Sequence, residues 1–241
     1  CCVSGEVNSG RTASCATILI MKERYFETET MGAAAQSWKE DIYRTLRGPH
    51  LSLEISRAAL LVLDLQAYFL ELDSHAYIPS APLILSSLNK IITGMRSCQR
   101  PVFLSQHINT PQNAGMMSTW WRDLIREDHP RSGFAAGLEN ADGQIFQKTQ
   151  YDAFYETDLE ETLKEAGVSQ LIITGVMTHL CCETTARSAF MRGFEVFFPA
   201  DGTATYNQEL HLATLKTLAH GFADIITCGE VLEAIDWMRE G

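Results

Sequence analysis

The chain has 241 residues, 46% hydrophobic and 20% charged, and a formal charge of -11. That size suits one globular domain with an appendage, and its acidity leaves no electrostatic footprint for nucleic acid or an anionic membrane surface. The longest apolar run, AALLVLDLQ, is broken by Asp64, far short of the roughly 20 residues of a spanning helix. Seven cysteines without CxxC spacing read as free thiols in a reducing cytoplasm.

The first residue is Cys1, and CCVSGEVNSGRTASCATILI lacks the charged leader and apolar core of a secretion signal. It reads as a tail, a trimmed chain or an upstream start before Met21, in preference to a lipid-bearing terminus. Trp38, Ile42 and Leu46 fall on one face between Gly32 and the pair Gly48-Pro49. That spacing predicts an amphipathic helix over 31–47, packed on the main domain or on a second subunit because it is too short to stand alone. Residues 1–50 are thus tail and helix, and 51–241 the main domain.

Four strand-sized apolar runs follow: AALLVL (58–63), VFLS (102–105), QLIIT (170–174) and EVFF (195–198). Nearly continuous apolarity marks strands buried on both faces, and helical patterns at 83–97, 181–192, 207–219 and 229–238 alternate with them. The expected fold is an α/β Rossmann-like three-layer sandwich, with a mostly parallel sheet of about six strands. Thr157-Asp158-Leu159-Glu160 reads as a capping box, and Gly167 as its helix's stop. Residues 106–143 read as a long loop with one short helix, of the kind that is usually functional. No repeat, GxGxxG or GxxxxGK[ST] occurs, so no nucleotide fingerprint is present.

Sites in such sheets form at the carboxyl ends of strands. The polar groups there are Asp64 and Gln66, His107, Lys148, and Thr178 to Cys182. Asp64, closing an apolar strand, is either a general base or a turn-capping carboxylate. Lys148 is either a site residue or a solvated edge lysine. Helical spacing separates the two adjacent cysteines. From Cys182, positions Ala186, Ala189 and Phe190 are apolar, which predicts packing on the sheet. From Cys181, Thr184, Thr185 and Ser188 are polar. Its place in the first turn after a strand would lower the thiol pKa and offer backbone N–H groups to an oxyanion. A buried inert cysteine is the other reading.

Asp64 within LLVLDLQAYF, Lys148 within QKTQYDAFYETDLEETL and Cys181 within LIITGVMTHLCCETTARSAFMRGFEVFFPADG together resemble the isochorismatase-like cysteine hydrolase superfamily, over residues 57–236. The resemblance implies a triad of Asp64, Lys148 and Cys181, acting as base, charge stabiliser and nucleophile without a cofactor. It also implies a non-proline cis peptide at Val176-Met177, in a Val176, Met177, Thr178, Cys181 region that holds the oxyanion. KEAGVSQLIITGV, TTARSAFMRG and HLATLK resemble the isochorismate-cleaving branch most, yet several of those vinyl-ether hydrolases carry Gly where this chain has Cys181. That departure favours cleavage of an amide, ureide or carbamoyl C–N bond.

SQHINTPQNAG has His107 without an Asp two residues before it, unlike the metal-binding nicotinamidase pattern, so no metal is expected. Gln66, Phe69, His107, Trp120, Trp121, Tyr151, Tyr155 and His179 are the candidate walls of the substrate pocket. Trp120 and Trp121 could equally be an oligomer contact. A homo-oligomer, dimer or tetramer, is the assembly the resemblance implies. The alternative of another class, a non-catalytic scaffold docking through its N-terminal helix, has no physical reason to keep base, cation and thiol together.

Overall fold

The computed structural model describes residues 21–46, 50–121, 123–139 and 143–240. The tail before Met21, Cys1 with it, and the Gly48-Pro49 punctuation lie outside them.

A seven-stranded sheet organises the molecule: β1 (Ala58–Leu63), β2 (Val102–His107), β3 (Gln144–Lys148), β4 (Gln170–Val176), β5 (Glu195–Pro199), β6 (Thr203–Ala204) and β7 (Asp224–Ile226). Its order is β3-β2-β1-β4-β5-β7, with β6 paired to β4, and every strand pairing is parallel. The parallel three-layer expectation holds. Three strands lie outside the four expected runs: β3, an edge strand with only Lys148 buried, and β6 and β7, two and three residues long and too short for periodicity to register.

Central strands read as unbroken apolar runs because both faces are covered. All six residues of β1 are buried, and alternation sorts them. Leu60 and Val62 join the cluster of α3 (Ala81–Ser97) and α8 (Cys228–Glu240), with Ile84, Leu88, Val231 and Ile235. Leu61 and Leu63 face the opposite layer, with Ala186 and Ala189 of α6 (Glu183–Met191) and Leu215 and Leu218 of α7 (Gln208–Gly221). Each such leucine is worth roughly 1.5–3 kcal/mol.

Helix α1 (Met31–Thr45) buries Ala35 and Ile42 in that second cluster, against α7 and β7. Its apolar stripe therefore packs on this domain. Tyr43 Oη donates to Asp224 Oδ1 at 2.5 Å and fastens the helix to β7.

One helix-end expectation is corrected. The helix after Thr157, α5 (Leu159–Glu165), has Asp158 at its N-cap with no side-chain capping bond. Thr157 instead donates from Oγ1 to the Ala153 carbonyl at 2.6 Å, so there is no capping box. A true side-chain cap occurs at Asn207, which accepts from Leu210 N at 2.9 Å. Two four-residue helices, α2 (Ala67–Leu70) and α4 (Met117–Trp120), lie in the loops above the sheet.

The chain steps outward from β1 to β2 and β3 on one side, and to β4, β5 and β7 on the other. The crevice beyond the carboxyl ends of β1 and β4 is thus the switch point where open α/β sheets place their ligands. Asp64 follows β1, and Cys181 follows β4 by one turn.

Candidate active site

Asp64 leaves β1 with φ 52, a left-handed conformation that Asp tolerates better than most residues. Its carboxylate stays beneath the loops. Ser105, buried on β2, donates to Asp64 Oδ1 at 2.6 Å and accepts from Asp64 N at 3.2 Å. Oδ2 faces Lys148 Nζ at 2.8 Å, as an ion pair without an aligned hydrogen bond, and neither side chain is exposed.

Lys148 ends edge strand β3 opposite His107 of β2. Of its strand it alone is buried. Besides Asp64, its ammonium donates to the Gln150 carbonyl at 2.8 Å and to Cys181 Sγ at 3.3 Å, and lies 3.4 Å from His107 Nδ1. Burial opposes this charge, but Asp64 and Cys181 hold its pKa above the ordinary lysine value.

The neutral form of His107 is set by its neighbours. Asn109 Nδ2 donates to the Thr149 carbonyl at 2.9 Å, which turns Asn109 Oδ1 toward His107 Nε2 at 2.7 Å. Nε2 therefore carries the proton and Nδ1 meets the ammonium as an acceptor. Burial, and then Lys148, push the His107 pKa down to about 4.

Cys181 lies in a π-helical turn, Thr178–Cys182, that opens α6 after a cis Val176-Met177 peptide. Its Sγ lies within 4.8 Å of an Asp64 carboxylate oxygen. Burial pushes the thiol pKa up to about 12; Lys148 pulls it down and Asp64 adds to the rise. The low thiol pKa expected of a helix start is overturned, because desolvation outweighs the dipole and the cation. Cys181 rests as a thiol beside a base.

Cys182 is wholly buried, with Sγ over the Thr174 carbonyl at 3.8 Å, as its apolar spacing implies. Phe190 departs from that face: it is 50% exposed and packs edge-on against Phe222. The polar face of Cys181 does not open to water either. Thr185 accepts from Ala153 N at 3.0 Å and Ser188 donates to Asp152 Oδ2 at 2.6 Å, so this face is polar to hold the loop after β3.

Above the thiol lies a cavity of about 390 Å³, whose lining includes Phe69, His107, Trp121, Tyr151, Met177 and Cys181. Trp121 Nε1 donates to Tyr151 Oη at 2.8 Å, joining two of these walls.

Four expected walls stand elsewhere. Trp120 is 73% exposed on α4 and Tyr155 47% exposed, and neither lines the cavity. Gln66 is buried behind it, accepting from His107 N at 2.8 Å and donating to the Ser132 carbonyl at 2.7 Å. His179 turns to Thr205 Oγ1 at 2.6 Å. Thr178 likewise faces inward, donating to Thr203 Oγ1 and approaching His211 Nδ1, both at 3.1 Å. The amides of Leu180 and Cys182 bond the Met177 carbonyl, at 3.1 and 3.2 Å.

Ser105 and Asn109 belong to the site although neither stands out in the sequence. The signal for Ser105 was a lone hydroxyl in the apolar run VFLS; for Asn109, a polar residue two past His107.

Asp64, His107 and Cys181 offer ligand atoms within 4.8 Å of one another, a metal-like grouping. Lys148 already supplies a cation to all three, so a metal ion there would have to displace a buried ammonium.

A parallel α/β sheet with a buried thiol, carboxylate and ammonium at its switch point defines a hydrolase of the cysteine-hydrolase type. Residues 58–230 match the family described as the isochorismatase domain. The chain belongs to that family. It is 39% identical over 186 residues to nicotinamidase 3 of Arabidopsis thaliana, covering 74% of this chain and 88% of that protein. It is 31% identical over 189 residues to enterobactin synthase component B of Escherichia coli K12, covering 76% and 65% of the two. A cysteine hydrolase from Pseudomonas syringae pv. phaseolicola shares the fold with TM-score 0.76 at 24% identity, covering 80% of this chain and all of that one.

Proposed function

We propose that the chain is a cofactor-independent hydrolase of a small C–N bonded carbonyl substrate (amide, ureide or carbamoyl), with Cys181 as nucleophile, Asp64 as base and Lys148 as charge stabiliser. One observation carries this reading: Cys181 Sγ, whose residue lines the cavity, lies within 4.8 Å of an Asp64 carboxylate oxygen and 3.3 Å from Lys148 Nζ. The similarity to a nicotinamidase supports a primary carboxamide on a flat ring, which the walls of Trp121, Tyr151 and Phe69 suit.

With the substrate carbonyl over the thiol, Sγ forms its bond to carbon as its proton passes to Asp64. Amides of the Val176, Met177, Thr178, Cys181 region not already bonded to the Met177 carbonyl hold the oxyanion. Collapse breaks the C–N bond, and Asp64 returns the proton to the leaving nitrogen. Water then gives a proton to Asp64 as it attacks the thioester; the acid departs and Sγ regains a proton. Lys148 stays charged throughout, offsetting the charge that moves between carboxylate, sulfur and oxygen. No bound cation is needed, since its place is filled by the ammonium.

Turnover of nicotinamide, N-carbamoyl amino acids and isochorismate by wild type, Cys181→Ala and Asp64→Asn tests this. The expected result is C–N cleavage lost in both variants. Isochorismate cleavage that survives Cys181→Ala and fails in Asp64→Asn would assign vinyl-ether chemistry instead.

We also propose a cytoplasmic homo-oligomer, dimer or tetramer. The exposed Trp120 supports such a contact, and light scattering tests it. Among the described residues no helix is long and apolar enough to cross a membrane.

A further inference from the structure

The family match begins at residue 58, yet the cavity has a wall from outside it. Residues 21–26 run over the domain, pinned on both sides of Lys22. Asn207 Nδ2 donates to the Met21 carbonyl at 3.1 Å, and Glu23 N donates to the Tyr206 carbonyl at 2.8 Å. Tyr25 N donates to Ser80 Oγ at 3.0 Å and Tyr25 Oη accepts from Thr205 N at 3.0 Å, while Phe26 is buried in the core.

Held this way, Lys22 reaches the cavity rim. Its Nζ donates to the His75 carbonyl at 2.5 Å and lies 4.3 Å from the centre of the Tyr206 ring. An ammonium has three donors, and one is spent. No carboxylate among the described residues pairs with it. Asp123, the acid on the same wall, is engaged by Tyr68 Oη and by His75 Nε2. Lys148, the other cation of the site, is committed to Asp64 and Cys181. Since the whole chain carries a charge of -11, an anionic ligand meets a repulsive surface unless the site supplies its own cation.

We propose that Lys22 binds an anionic group of the substrate, a carboxylate carried on the same flat or apolar body as the scissile C–N carbonyl. The substrate class narrows accordingly to acid-bearing aromatic or apolar amides, ureides and carbamoyl compounds. Residues 21–26 are the specificity element that this chain adds to the matched domain. The bond cleaved rests on the amide-hydrolase reading above, whereas the anion preference is a property of binding alone.

The test compares ligands differing by one carboxylate. Calorimetric titration of the Cys181→Ala protein with benzamide, 3-carbamoylbenzoate and 4-carbamoylbenzoate reads the preference without turnover. One of the carboxylated isomers is expected to bind about tenfold tighter than benzamide, the scale of one hydrogen bond to a charged group. Adding Lys22→Met should bring that ratio near one, and Lys22→Arg should keep most of it. Equal binding of all three ligands, or a preference that survives Lys22→Met, overturns the proposal. Turnover by the Cys181-intact enzyme separates the two readings. A Lys22-dependent preference in a protein that hydrolyses none of the ligands contradicts the amide reading and upholds this one. Hydrolysis of benzamide and both carboxylated isomers with equal efficiency contradicts this one alone.

Discussion

Lys148 Nζ and Asp64 Oδ2 face each other at 2.8 Å with neither side chain open to water. Each charge is tolerable there only because of the other. Removing one partner of such a pair leaves the second uncompensated, at a cost of about 3–5 kcal/mol. Lys148→Met is therefore expected to lower the unfolding free energy by that amount in a urea titration. The double variant Lys148→Met with Asp64→Asn should regain part of the loss, since no charge is then stranded.

The same contacts predict an unusual reactivity at Cys181. Asp64 raises its pKa and Lys148 lowers it. Asp64→Asn should therefore increase the thiolate fraction and speed alkylation of Cys181 by iodoacetamide at neutral pH, while abolishing hydrolysis. Lys148→Met should slow the alkylation. In wild type the rate should climb steadily with pH through the alkaline range, as expected of a thiol pushed up to about 12. Peptide mass spectrometry of timed samples reads these rates.

Two buried histidines make the fold acid-sensitive. Burial pushes His107 down to about 4 and His211 down to about 3, against roughly 6.5 in an unfolded chain. Between those values the unfolded state binds the extra protons, so stability falls as pH drops below about 6.5. Each histidine contributes roughly 1.4 kcal/mol per pH unit inside its window. Thermal melts from pH 7 to pH 5 should show this slope, to which the burial-lowered His179 adds, and His211→Gln should flatten it. An unaltered slope would contradict the assignment.

Gly175 lies on β4 opposite Leu63 with φ 110, and a Cβ there would sit 2.1 Å from the Leu63 carbonyl oxygen. The β1–β4 spacing that brings Asp64 to Cys181 depends on this close approach. Gly175→Ala is expected to cost about 3 kcal/mol or more by strain and overlap. A thermal melt matching wild type would show that the two strands can separate freely.

Much of this was legible in the chain. AALLVL is β1 residue for residue, because a strand buried on both faces needs no alternation to be seen. Helical spacing separated Cys182 from Cys181 correctly at Ala186 and Ala189 but failed at Phe190, which lies at the rim of its packed face. Trp120 and Trp121 were indistinguishable in sequence; only the end of α4 turns one to water and the other to Tyr151. The thiol pKa went the wrong way because the dipole argument sees the helix start and not the burial around it. Lys22 gave no signal, since a solitary lysine 42 positions before Asp64 reaches the cavity only through tertiary ties to Ser80, Thr205 and Tyr206.

In the proposed reaction Cys181 becomes acylated. Acid-quenched mass spectrometry of the enzyme during steady turnover of a carboxamide substrate tests it most directly. The peptide carrying Cys181 is expected to gain the mass of the acyl group, hydroxylamine to remove it, and Cys181→Ala to show neither adduct nor turnover. Steady turnover with no adduct on that peptide, undiminished in Cys181→Ala, would contradict it.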